Sequence, residues 1–83
     1  MNSKALQAQG EELGRIVEFH RKKSGLTQQA AAKLAGIGKA AAFDIEHGKV
    51  SVQFDTLLKL LCVLNIAVRF DGPLMPAYRE GKK

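Results

Sequence analysis

The chain has no tryptophan, one cysteine, two prolines and few aromatic residues, and each shortage excludes something. A single thiol, Cys62, cannot close an internal disulfide. It lies in an apolar helical stretch and is expected to pack as a small hydrophobe, which suits a reducing compartment, the cytoplasm. The longest apolar stretch, residues 57–67, is too short and too interrupted to span a bilayer, and no signal peptide is expected ahead of the domain. His20 and His47 stand singly, with no neighbour at metal-ligand spacing. The apolar setting of Cys62 is wrong for a nucleophile, and no glycine-rich phosphate loop follows a strand. Catalytic residues, metal ligands and cofactors are therefore expected to be none, and an enzyme is not expected.

What is present is a small chain of ordinary globular composition, with 83 residues, 46% of them hydrophobic and 25% charged. That length makes one domain with a thin core, which dimerisation would help to stabilise. The formal net charge of +5 favours a polyanion as partner.

Residues 28–47 organise the rest. They read as two short helices joined by a tight turn. Ala31, Ala32 and Ala35 fall on one face of the first helix, and Ala42 and Ile45 on one face of the second. Two helices that cross steeply need small residues where their backbones meet. They also need a glycine where the chain takes a positive φ, and Gly36 stands there, followed by the apolar Ile37. This is the helix-turn-helix pattern.

Around this unit the chain divides into a flexible N-terminus (1–10), a folded region (11–71) and a flexible basic tail (72–83). A helix is expected over 11–23, where Leu13, Ile16, Val17 and Phe19 or His20 keep the helical period. Glu11 and Glu12 suit its positive end, and Arg21, Lys22 and Lys23 its negative end. Gly14 inside it costs about 1 kcal/mol relative to Ala, which suggests close approach by another helix. Gly25 takes the left-handed stop position. Thr27 caps the next helix, which Gly36 closes, and Gly38 caps a helix over 39–47 that stops at Gly48. A fourth helix, 55–64, carries the inner stripe Leu57, Leu60, Leu61 and Leu64, with Leu58 and Val63 on its flank. The period then changes to two: Ile66, Val68 and Phe70 point one way, Ala67 and Arg69 the other. A lone strand cannot satisfy its own backbone. Its expected partner is its copy on a second chain, paired antiparallel across a two-fold axis, so Ile66, Val68 and Phe70 are the expected dimerisation residues.

Residues 13–70 resemble the lambda-repressor-like helix-turn-helix family, also called the Xre family. The resemblance is carried by Gly25-Leu26-Thr27-Gln28, Ala32, Gly36-Ile37 and Ile45-Glu46-His47-Gly48-Lys49. The ending over 64–70, Leu-Asn-Ile-Ala-Val-Arg-Phe, looks like that of HipB-like antitoxins, which follow four helices with one strand that pairs in the dimer. The resemblance implies a mainly α fold of four to five helices with one short C-terminal β-strand shared across a homodimer. It implies that the third helix lies in the DNA major groove, with Gly38, Lys39, Ala40, Phe43 and Asp44 facing bases and Gln28 touching the backbone. Arg21 and Glu46 match a family pair that ties the first helix to the third.

The chemistry of these residues varies in clarity. Lys39 donates to guanine or holds a phosphate, while Ala40 either meets a thymine methyl or merely fills the helix. Phe43 either presses on a thymine methyl or sugar, or folds back to cover the core. Asp44 repels phosphate unless it accepts from cytosine or pairs with a neighbouring lysine. Thr27 and Gln28 at a helix N-terminus, and Lys49 after Gly48, suit phosphate. The expected protein is a repressor of the bacterial nucleoid that binds its operator as a dimer, acting as the antitoxin of a HipA-like kinase toxin. Other readings are an interaction module with weak DNA binding and a phage-type repressor without a toxin.

Overall fold

In the computed structural model, which describes residues 2–81, helices account for all the regular secondary structure. They are α1 (Ser3–Lys23), α2 (Gln28–Ala35), α3 (Lys39–Glu46), α4 (Phe54–Val63) and α5 (Met75–Gly81). The central pair forms as expected. Thr27 Oγ1 accepts from the Ala30 amide to cap α2, and Gly36 closes that helix at φ +71°, a value a Cβ would strain. Gly38 caps α3 with no side-chain bond.

The core is thin and sits where α1, α2, α3 and α4 meet. Val17, Ala31, Ala32, Ala42, Ile45, Leu60, Leu61 and Leu64 are buried, with Leu13, Leu26, Ala35, Ile37, Val52, Leu57 and Ile66 packed against them. The alanines on α2 and α3 let the two short helices approach closely, while the larger Val17, Ile45 and Leu60 fill the centre. α1 also approaches α3 closely. A methyl on Gly14 would sit 2.8 Å from the Ile45 carbonyl oxygen and closer still to that of Glu46. The glycine therefore sets the distance between α1 and the end of α3.

Several expectations are corrected. The first helix begins at Ser3 rather than at residue 11, because Asn2 caps it: its Oδ1 accepts from the Ala5 amide at 3.0 Å. Glu11 and Glu12 thus lie well inside the helix, and its first turn holds no acidic residue. Residues 2–9 are exposed. In the tail, 75–81 is helical rather than irregular. Pro76 stands in the first turn, where its missing N–H has no partner to lose, and Met75 N–H closes a turn onto Gly72 O at 3.1 Å. Lys82 and Lys83 lie outside the described residues. Cys62 is exposed on α4 rather than packed in the core, since the buried stripe runs through Leu60, Leu61 and Leu64. Leu58, Ile16 and Phe19 also stand partly in solvent.

Residues 66–70 form no strand within the described chain. α4 ends when Asn65 takes φ +59° and the Ile66 amide bonds back to Leu61 O at 2.9 Å. The segment beyond is extended in sequence pattern but has no ladder partner in one chain, and a strand is defined by that ladder. Ile66 packs on the core, while Val68 and Phe70 are exposed.

Candidate nucleic-acid interface

α3 has one face buried and one bare. Ala42 and Ile45 point into the core, whereas Gly38, Lys39, Ala40, Phe43 and His47 are exposed and Asp44 is half-buried. The exposed side chains from Lys39 to His47 follow the helical spacing, so they form one continuous stripe. Phe43 is 48% exposed and belongs to this stripe, so it does not fold back to cover the core. Its ring stacks on that of His47, with centroids 3.8 Å apart.

The helix is held from behind by an ionic network. Arg21, on α1, donates through Nε to Glu46 Oε2 and through Nη2 to Glu46 Oε1 at 3.0 Å, a bidentate pair. Its Nη1 donates to Leu26 O at 2.8 Å and so also fixes the turn between α1 and α2. Gln28, the first residue of α2, donates from Nε2 to Glu46 Oε1 at 3.0 Å. One carboxylate thus joins α1, α2 and α3. The side chains of Arg21 and Glu46 are 10% and 2% exposed, so the pair is shielded from solvent. Burial pushes the Glu46 carboxyl up, but hydrogen bonds from Arg21 and Gln28, with the charges of Arg21 and His47, outweigh this and hold it below the ordinary value. The hydrogen bond to Glu46 holds Arg21 above its own. A carboxylate at a helix C-terminus meets the negative end of the dipole, and the guanidinium offsets that repulsion too.

The remaining candidates are placed as follows. Thr27 is exposed, and its hydroxyl oxygen is engaged as the α2 cap, leaving its O–H hydrogen to donate outward. Gln28 faces Glu46 rather than standing free, a partner that the sequence did not suggest. A clue existed: Arg21 alone leaves lone pairs on the Glu46 carboxylate unfilled. Lys49 reaches back from the turn after α3, its Nζ 3.5 Å from Asp44 Oδ2. Asp44 therefore pairs with a neighbouring lysine, which offsets its negative charge. Lys39 has no ion pair among the described residues. His47, absent from the sequence-derived candidates, lies on the same stripe; its i, i+4 relation to Phe43 was the available signal. Ile66 and Val68 line an apolar groove of about 300 Å³ with Leu13, Ile16, Phe54, Leu57, Leu58, Leu61 and Ala67, whereas Phe70 is not part of its lining.

This geometry is a short helix with one bare face, a second helix braced across it, and a buried charge network locking the two to α1. Residues 19–70, more than half of the chain, match the helix-turn-helix family, of lambda-repressor-like or Xre type, and the chain belongs to that family. Such domains are DNA-binding parts of transcription regulators and are not typically enzymatic. No curated protein matches the chain in a direct comparison. No helix among the described residues is long and apolar enough to cross a membrane.

Proposed function

We propose that this protein is a sequence-specific, DNA-binding transcriptional repressor that acts as a homodimer. The observation that carries the reading is the bare face of α3, from Lys39 to His47, presented by the Arg21–Glu46–Gln28 network. In this reading α3 enters the major groove with Gly38, Lys39, Ala40, Phe43 and Asp44 toward bases. Thr27, Gln28 and Lys49 lie along the phosphates. Gln28 and Lys49 already have protein partners and would share or exchange them on binding.

The dimer joins through residues 66–70, which pair across a two-fold axis and cover the groove beside them. The exposed Val68 and Phe70, on a segment with no strand ladder among the described residues, support it. Two α3 helices then meet half-sites about 34–36 Å apart. We further infer that the chain is the antitoxin of a HipA-like kinase pair, a reading supported by the resemblance of residues 64–70 alone. Deleting residues 73–83 tests whether the tail contributes to holding the kinase: unchanged kinase inhibition excludes the tail, and a downstream gene that encodes no kinase excludes the pair.

A gel shift with the DNA upstream of the chain's own gene, at two salt concentrations, tests the repressor reading. A specific shift that weakens with salt is expected. No specific shift at low salt would instead support an interaction module that has kept the fold, the reading that the acidic Asp44 and the alanines of α3 favour.

A further inference from the structure

We propose that Phe43 and His47 act as one reading element that selects an A·T base pair, with His47 a specificity-determining residue. The inference rests on the DNA-binding reading above and extends it to a residue outside the expected set.

Three observations combine. The two rings are stacked 3.8 Å apart at an interplanar angle of 20°, on the bare face of α3. His47 Nδ1 lies 2.9 Å from Phe43 O. A carbonyl oxygen only accepts, so Nδ1 carries the hydrogen, and in the neutral form of the ring Nε2 is an acceptor. Finally, the charged neighbours make their hydrogen bonds and ion pairs elsewhere: Asp44 with Lys49, and Glu46 with Arg21 and Gln28. Nothing on α3 competes for His47 Nε2, and the ring is held at both its face and its Nδ1 edge. Little side-chain freedom remains to be lost on contact.

The element therefore offers an apolar ring beside one oriented acceptor. In the major groove an A·T pair presents a thymine methyl and an adenine N6 amine, which match the two parts. A guanine edge presents two acceptors that oppose Nε2, and cytosine offers an amine without a methyl. Lys39 lies eight positions toward the N-terminus, about 12 Å along the helix axis, so it meets a different base pair.

Duplexes are selected from a randomised pool with the wild-type chain, Phe43→Ala and His47→Ala. Affinities are then measured on the selected duplex with thymine replaced by uracil, or adenine by unsubstituted purine, at each A·T pair. At one pair both changes should weaken the wild type about fivefold or more. Uracil should leave Phe43→Ala unaffected, and purine should leave His47→Ala unaffected. Both variants should lose preference at that pair alone and keep wild-type thermal stability. Base analogues that never discriminate wild type from variant, or unchanged consensus sequences in both variants, overturn the inference while leaving DNA binding intact. If either variant fails to fold, the analogue series on the wild type still decides: no A·T pair sensitive to both replacements overturns it. A wild-type chain that enriches no sequence overturns the underlying reading as well.

Discussion

At the scale of single residues, stability and orientation meet at Glu46. Its side chain is nearly sealed from solvent, and it accepts from two residues on two other helices. Removing either member of such a pair leaves a buried charge without compensation, which typically costs several kcal/mol. Arg21→Ala should therefore destabilise the fold by about 3 kcal/mol in urea denaturation, a large share of the stability of a small domain. Gln28→Ala removes one neutral donor to a carboxylate that keeps its arginine, and should cost about 1–2 kcal/mol. The network also fixes an acid response. Glu46 is held below its ordinary value of 4.5 in the folded chain and returns to it on unfolding. The stability it contributes is complete above that value and is lost as pH falls through the lower folded value, because the unfolded chain takes up the proton first. Glu46→Gln should flatten this acid limb, and a limb of unchanged steepness would contradict the assignment. The Arg21–Glu46 match was legible from the sequence through family resemblance. The Gln28 contact was not, since it depends on how α2 crosses α3, and neither chain spacing nor period encodes that crossing.

Among the elements, packing distance decides which sequence signals hold. Gly14 carried its message in the sequence: a glycine within a helix lowers stability unless something approaches it, and the end of α3 does. Two effects oppose each other in Gly14→Ala. Alanine gains about 1 kcal/mol of helix propensity, but overpacking against the backbone of Ile45 and Glu46 costs typically 1–3 kcal/mol. The atoms that the methyl would meet are backbone and cannot swing aside, which puts the cost in the upper part of that range, so the variant should be less stable by about 1–2 kcal/mol. A variant as stable as the wild type would show that α1 can slide off α3 freely. The ends of the chain were less legible. Asn2 is a good cap, yet residues 3–9 bury nothing, so no apolar stripe marked them as helix. α5 is short and fully outside the core, and its proline reads as a breaker unless it is placed in the first turn. Asn2→Ala should remove the cap and cost about 1 kcal/mol, seen as faster amide exchange confined to the first turns of α1.

For the whole molecule, the alternation over residues 66–70 was legible, but its structural consequence was not, because a ladder needs a second strand that one chain does not supply. The proposed homodimer makes this segment the joint. Phe70→Glu should then yield a solution mass of one subunit at micromolar concentration, where the wild type has two, and should weaken operator binding. A wild type of one subunit would remove the joint from the account. The charge of +5 is the second whole-molecule property. Lys39→Ala should reduce the salt slope of DNA binding by about one unit, whichever sequence is bound, if the amine holds a phosphate. An unchanged slope with altered base preference would make it a base contact instead. The most direct measurement of the central claim is an NMR titration of the labelled chain with its selected duplex, following each backbone amide. Large shifts should gather on Thr27, Gln28, the residues from Gly38 to Asp44, and His47 to Lys49, with the apolar groove between α1 and α4 undisturbed. Shifts centred on that groove, with α3 unmoved, would contradict it.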